Sequence, residues 1–212
     1  MQINESLKHI LDSIQKCCDF YLNFCDLWNE YWDKNELGKH FNQKKSVVKE
    51  SRNKDIYEEI MKYYNFLNNN LKEFSIDGKS FFDYESRIKG YVSLESKIDK
   101  YIYLKKEQGK IPINKCLNDL FGMRFTIFDQ NTYNEIDSLI KKEFPDMKLE
   151  LRELHSTNFV YRAKHLYLKK DNFNFQWELQ LWYQGNEEEN KRSHNEKDEH
   201  YTSVPKDLKE NL

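Results

Sequence analysis

The spacing of apolar residues changes along this chain, and the change separates a helical part from a mixed part. Over residues 5 to 33, apolar side chains recur at intervals of three and four, beginning with Leu7 and Ile10. Residues 54 to 74 repeat this interval, so we expect two amphipathic helices. From about residue 84 several short stretches alternate with an interval of two, which predicts strands.

The second part of the chain alternates between strand-like and helix-like stretches. The predicted strands are YESRIKGY, GMRFTIF, MKLELREL, VYRAKHLYL and FQWELQLWY. The predicted helices are SLESKIDKYIYLKKEQ, capped at its N-terminus by Ser93, then TYNEIDSLIKKEF and the charged NEEENKRSHNEKDEHY. This order predicts an α+β fold with a mixed β-sheet flanked by helices. We expect an N-terminal helical segment, residues 1–75, packed on a domain of residues 76–212.

The composition of the chain argues against several classes of protein and against one kind of metal site. The formal net charge of the 212 residues is -2, which argues against a globally basic nucleic-acid binder. No apolar run is long enough for a membrane span, and the N-terminus lacks a signal-peptide core. The four cysteines form neither a CxxC pair nor a disulfide pattern. These features predict a cytoplasmic protein with reduced thiols, no zinc site and no membrane contact.

The stretch FQWELQLWY places polar side chains inside a hydrophobic strand. Leu179 and Leu181 share one face, whereas Glu178, Gln180 and Trp182 share the other. If the second face is buried, Glu178 needs a partner and becomes a rigidly held candidate for catalysis. If it is exposed, Glu178 is an ordinary surface acid, and the strand alone leaves both readings open.

Other polar residues interrupt the predicted strands or follow them. Arg87 and Lys89, with Ser93 and Lys97 at the start of the next helix, suit a polyphosphate. The same residues would also fit an exposed strand edge.

Four further residues stand in comparable positions. Asp119 precedes the strand that carries Arg124, and together with Glu178 it could hold Mg²⁺. Tyr161 and His165 share a strand face, either to stack on a nucleobase or as an ordinary cross-strand pair.

In this order, the residues resemble the synthetase domain of the RelA/SpoT family, which includes the small alarmone synthetases. The family pattern runs RxKxxxSxxxK, DxxGxR, YxxxH, ExQ and then a helix with a histidine. The matching residues, within about residues 80 to 201, are Arg87, Lys89, Ser93, Lys97, Asp119, Gly122, Arg124, Tyr161, His165, Glu178, Gln180 and His194. Five motifs in one order make a chance match improbable.

The resemblance implies a nucleotidyltransferase-like fold and an ATP-dependent pyrophosphokinase. Such enzymes use Mg²⁺ and transfer the β,γ-pyrophosphate of ATP to a ribose 3′-hydroxyl. By this similarity, Arg87 and Arg124 would clasp the adenine, and Lys89, Ser93 and Lys97 would hold the triphosphate.

The resemblance also implies roles on the catalytic and acceptor side. Asp119 and Glu178 would bind Mg²⁺, Glu178 would take the proton of the attacking hydroxyl, and Tyr161 would stack on the acceptor base. The acceptor-binding residues would be Tyr161, His165, Gln180 and His194.

The chain departs from the family pattern on the acceptor side. Alarmone synthetases carry DYIxxPKxxGY before the stacking tyrosine, whereas this chain reads ELHSTNFVYRAKH, with Val160 in place of the glycine. After ExQ, an Ile-Arg-Thr run is replaced by Leu181, Trp182 and Tyr183. In this respect the chain is similar to the toxic small alarmone synthetases of toxin–antitoxin systems, some of which modify the 3′-CCA end of tRNA.

A basic stretch between the first two helices offers a possible RNA contact. Its cations include Lys39, Lys44, Lys45, Lys49 and Arg52. The alternative is a solvated interhelical loop.

Three hypotheses about function follow. The first is a tRNA-directed toxin that is controlled by a separate protein antitoxin. The second is an alarmone synthetase that makes (p)ppGpp from GDP or GTP, and the third is an inactive nucleotide-binding module.

Overall fold

The computed structural model describes most of the chain as an α+β fold. The described residues are 4–34, 47–71, 74–145, 148–155 (backbone only), 160–171 and 174–193. The helices are α1 (Glu5–Lys34), α2 (Lys54–Asn70), α3 (Tyr91–Asp99), α4 (Ile113–Cys116) and α5 (Gln130–Glu143). Residues 187–193 form a further helical segment.

The strands form one five-stranded sheet. They are β1 (Phe82–Ile88), β2 (Phe121–Ile127), β3 (Lys148–His155), β4 (Val160–Leu168) and β5 (Trp177–Tyr183), in the order β1-β2-β5-β4-β3. Among the described strands, β2 and β5 run parallel, and the other three neighbouring pairs are antiparallel. The predicted mixed sheet with flanking helices is therefore confirmed.

The alternation of β5 sorts its residues between two environments. The Trp177 ring lies 4.9 Å from that of Phe24 in α1, and its Nε1 donates to the Tyr63 hydroxyl of α2 over 3.1 Å. Leu179 and Leu181 are buried in the same core. The first two helices thus cover one sheet face, and burying such rings and aliphatic chains is a major source of stability.

The start of α3 differs from the sequence prediction. Gly90, rather than Ser93, is the N-cap, and its carbonyl accepts the N–H of Leu94 over 2.9 Å. Ser93 therefore lies within the first turn, and its prediction as the N-cap is wrong. The helix also ends earlier than predicted, because Lys100–Leu104 winds into a wider π-helical turn.

The four cysteines are free thiols, as the sequence indicated. Burial raises the pKa of Cys18, Cys25 and Cys116 to about 12, so these thiols stay protonated at neutral pH. No helix among the described residues is long and apolar enough to cross a membrane.

Candidate active site

The parallel pairing of β2 with β5 brings the separate motifs to one place. In this register Gly122 lies opposite Glu178, and Arg124 lies opposite Gln180. On the other side of β2, Arg87 of β1 also lies opposite Gly122. Since every second residue of a strand shares a face, the polar residues of three strands meet on the side away from α1 and α2.

A cavity of about 410 Å³ opens on this face. It is lined by Glu85, Ser86, Arg87, Asp119, Gly122, Met123, Arg124, Glu178 and Gln180. A Cβ atom at Gly122 would meet nothing within 4 Å, so the absent side chain leaves space at the base of the cavity. The volume suits a small-molecule ligand.

Asp119 holds two lysines at one end of the cavity. Its Oδ1 accepts from Lys97 Nζ over 2.8 Å, and its Oδ2 accepts from Lys89 Nζ over 3.1 Å. Burial alone would raise the pKa of Asp119, but the charges of Lys97 and Lys89 outweigh it and hold that pKa well below its usual range. Burial alone would lower the pKa of Lys97, but the charge of Asp119 outweighs it and raises that pKa, so Lys97 and Asp119 both remain charged.

Glu178 is buried and accepts hydrogen bonds from three side chains. His165 Nδ1 lies 2.7 Å from Oε1, and the hydroxyl of Tyr167 donates to the same oxygen over 3.1 Å. Gln180 Nε2 donates to Oε2 over 2.8 Å. Burial raises the pKa of Glu178 and these partners lower it, with a net fall to about 2. Of the two alternatives for this strand face, buried or exposed, the structure therefore confirms the buried one.

The network continues behind Glu178. The hydroxyl of Tyr161 lies 2.8 Å from His165 Nε2, and Trp182 Nε1 donates to Gln180 Oε1 over 3.0 Å. Tyr161 and Trp182 are both buried and pack edge-to-face, with ring centroids 6.2 Å apart. Tyr161 thus lies beneath the cavity rather than on its wall.

Asp119 and Glu178 fit a divalent cation that takes its other ligands from a substrate. Both carboxylates line the same cavity, and the like charge of Asp119 partly opposes the net fall in the pKa of Glu178. No group of three or more His, Cys, Asp and Glu side chains in the described part of the chain could hold a metal alone. Two carboxylates supplemented by phosphate oxygens is an arrangement that Mg²⁺ accepts.

Several predicted site residues lie apart from the cavity or outside the described ranges. Ser93 is half-buried in the first turn of α3. Lys49 is exposed, and Arg52 forms ion pairs with Glu95 and Asp99 of α3. The predicted residues outside the described ranges are Lys39, Lys44, Lys45 and His194.

The structure adds residues that the motif analysis omitted. Glu85 lines the cavity and accepts from Arg124 Nη1 over 2.9 Å, and Tyr167 contacts Glu178. The strand period of two could have identified both residues, since Glu85 shares a strand face with Arg87 and Tyr167 shares one with His165.

Asn190 had no such signal in the sequence. Its buried side chain accepts from the N–H of Arg162 and donates to the Arg162 carbonyl, each over 2.9 Å, and this anchors helical residues 187–193 to β4.

Comparisons with known proteins find similarity to solved structures but none to a family model or to a curated protein. No protein-family model matches the chain, and no curated protein does. Small alarmone synthetase 1 from Bacillus subtilis has 15% identity and a TM-score of 0.39, over 72% of this chain and 78% of its own. Small alarmone synthetase 2 from the same species has 18% identity and a TM-score of 0.35, over 72% and 80%.

A further structure is small alarmone synthetase 1 bound to AMPCPP. Its identity is 12% and its TM-score 0.34, over 87% of this chain and 85% of its own. At these identities and TM-scores, the likeness carries no argument about the activity of this chain.

Proposed function

We propose that the chain is an ATP-dependent pyrophosphokinase that transfers the β,γ-pyrophosphate of ATP to a ribose 3′-hydroxyl. One observation carries this proposal: Asp119 and Glu178 line the same cavity as the guanidinium groups of Arg87 and Arg124, and Lys89 and Lys97 are bound to Asp119. Glu85, the third carboxylate of the lining, is paired with Arg124. This set matches the needs of a magnesium-bound polyphosphate whose charge must be neutralised during transfer.

On the donor side, the cations divide into two groups. Lys89 and Lys97 would exchange part of their contact with Asp119 for the oxygens of the triphosphate, with Ser93 close to them in the first turn of α3. Arg87 and Arg124 would hold the adenine. Guanidinium groups both stack on aromatic rings and pair with phosphates, which suits them to a nucleotide.

The transfer forms a bond between the acceptor 3′-oxygen and the β-phosphorus and breaks the bond from that phosphorus to the α,β-bridging oxygen. AMP leaves with the bridging oxygen, and the proton of the attacking hydroxyl passes to water, directly or by way of Glu178. Bound between Asp119 and Glu178, Mg²⁺ would supply charge neutralisation on the phosphoryl oxygens.

Glu178 would accept the hydroxyl proton only weakly, because His165, Tyr167 and Gln180 stabilise its charged form. We infer that it acts mainly by orienting the hydroxyl and by its negative charge.

For the acceptor, we propose the 3′ end of tRNA, with inhibition of translation as the outcome and a separate protein antitoxin as the control. The support is in the sequence, where Val160 and the run Leu181, Trp182 and Tyr183 replace family residues on the acceptor side. A guanine nucleotide, GDP or GTP, is the second candidate. It is favoured by the ion pairs of Arg52 with Glu95 and Asp99, which already compensate one of the proposed RNA-binding cations.

The acceptor is tested by incubating γ-labelled ATP and Mg²⁺ with GDP, GTP or deacylated tRNA. Label on tRNA supports the first proposal, and label on the guanine nucleotides supports the second. The double variant Lys44→Glu/Lys45→Glu should lower transfer to tRNA and spare transfer to a free nucleotide. Equal loss with both acceptors would point to a folding defect instead, and unchanged transfer to tRNA would show that these lysines do not bind RNA.

A further inference from the structure

The indole of Trp182 lies directly behind one of the proposed nucleobase-binding arginines. The guanidinium carbon of Arg124 stands 3.6 Å from the centroid of the Trp182 ring, which is the distance of a close cation–π stack. Arg124 and Trp182 lie on neighbouring strands, β2 and β5, two residue pairs apart along the ladder. The rigid sheet therefore sets this contact.

Trp182 is itself held firmly. It is fully buried, and its Nε1 donates to Gln180 Oε1, while Gln180 donates to Glu178. The edge of its ring packs against Tyr161. The indole therefore cannot turn without breaking its hydrogen bond to Gln180, the side chain that also donates to Glu178.

Arg124 is held on one face and one edge, and it still borders the cavity. Nη1 donates to Glu85 over 2.9 Å, and the side chain is 16% exposed. Its Nε atom is buried and has no hydrogen-bond partner within the described residues. Burial lowers the pKa of Arg124, and the charge of Glu85 offsets this only in part, so holding the guanidinium here carries a cost that the indole contact reduces.

A guanidinium with an indole on one face can still stack a flat ligand on the other. Purine rings stack on guanidinium planes much as aromatic side chains do. The cavity beside Arg124 has room for a base, because Gly122 leaves space at its foot.

We propose that Trp182 is a positioning residue that fixes the guanidinium plane of Arg124 so that its opposite face stacks on the nucleobase of the donor nucleotide. This inference rests on the proposed function, since it requires a nucleoside triphosphate in the cavity. It assigns Trp182, which departs from the family pattern, to the donor side. The same residue links the base site through Gln180 to the carboxylate of Glu178.

The test compares two probes, AMPCPP and inorganic tripolyphosphate, by titration calorimetry with Mg²⁺. The probes share the phosphate chain, but only AMPCPP carries a base. For Trp182→Leu we expect the Kd for AMPCPP to rise roughly threefold to thirtyfold, the range of a desolvated cation–π contact. The Kd for tripolyphosphate should stay within about twofold of wild type, and Trp182→Phe should keep most of the affinity for AMPCPP.

Two further variants separate positioning from folding. Trp32→Leu removes a half-buried indole from α1 and should leave both affinities unchanged. Arg124→Lys keeps the positive charge but lacks the planar guanidinium. It should therefore lose affinity for AMPCPP but not for tripolyphosphate, and it keeps the test informative even if Trp182→Leu folds poorly.

The inference is overturned if Trp182→Leu or Arg124→Lys binds AMPCPP as wild type does. It is also overturned if tripolyphosphate loses as much affinity as AMPCPP. A wild-type protein that binds neither probe would instead overturn the proposed function, and this inference with it.

Discussion

His165 and Glu178 are joined by a contact of 2.7 Å between Nδ1 and Oε1, on two adjacent strands and away from bulk water. Tyr161 contacts the other nitrogen of the same ring at 2.8 Å. Because both ring nitrogens have partners, the imidazole is fixed in orientation. Glu178 thus keeps one orientation toward the cavity, and the basicity of its carboxylate depends on each hydrogen-bond donor around it.

The first prediction concerns Tyr167, whose hydroxyl donates to Glu178 Oε1 over 3.1 Å. Tyr167→Phe should lower the rate of pyrophosphate transfer roughly tenfold, because a hydrogen bond to a charged group is worth about 1.5–3 kcal/mol. Single-turnover rates measure this effect. Tyr103→Phe, a half-buried tyrosine in the π-helical turn, is the matched control and should react at the wild-type rate. An unchanged rate for Tyr167→Phe would remove Tyr167 from the site.

The second prediction concerns the coupling of Asp119 with Lys97. Asp119→Asn leaves Lys97, only 10% exposed, without the charge that it faces. We expect a loss of about 1–3 kcal/mol in the free energy of unfolding, less than for a fully buried pair. In Asp119→Asn/Lys97→Met the loss should be smaller than the sum of the two single losses. Urea unfolding measures the cycle, and simple additivity would contradict a direct interaction.

The third prediction uses the open space at Gly122. Gly122→Val should fold normally, since a Cβ atom meets nothing within 4 Å and valine favours strands. The added methyl groups would occupy space that the nucleotide needs. We therefore expect the affinity for AMPCPP to fall at least about tenfold. Thermal melting provides the control for folding. Full affinity in a folded variant would place the nucleotide elsewhere.

The fourth prediction concerns Glu59, a buried acid of α2 whose Oε2 has no hydrogen-bond partner among the described residues. Burial raises its pKa to about 7, from about 4.3 in an unfolded chain. The folded state therefore holds an extra proton between these values. Glu59 consequently makes folding less favourable as the pH rises through this window.

The measurement for Glu59 is the Tm of the wild type and of Glu59→Gln across pH 5 to 8. Gln carries no charge to bury, so the variant should be more stable than the wild type at high pH. Its Tm at pH 8 should be about 2–4 °C higher for each kcal/mol added to the free energy of unfolding. The gain should shrink at pH 5, where wild-type Glu59 is mostly protonated. A gain that is independent of pH would show that the charge is not the cause.

Local periodicity was enough to predict most of the fold. The strand patterns around Met123 and Glu178 are regular, and their predicted positions agree with β2 and β5. The start of α3 could not be obtained in this way, because its N-cap is Gly90, which has no side chain to cap with, and Ser93, a good capping residue by type, lies inside the helix. A helix start without a side-chain cap leaves little signal in the sequence.

The candidate site was predictable in part, for a different reason. Motif residues such as Arg87 and Glu178 were identified from their type and order, but their meeting depends on the pairing of β2 with both β1 and β5. Neither the pairing of strands nor the choice of side-chain partners is encoded by nearby residues in the sequence. The contacts of Arg124 with Trp182 and of Arg162 with Asn190 therefore had to come from the structure.

A pyrophosphokinase transfers two phosphoryl groups together, and the nucleotide that it releases from ATP is therefore AMP. This nucleotide can be identified in a reaction with ATP, Mg²⁺ and whichever acceptor becomes labelled. We expect AMP in a one-to-one ratio with modified acceptor, and its loss in Glu178→Gln. ADP as the product, or AMP formation that persists in Glu178→Gln, would contradict this mechanism.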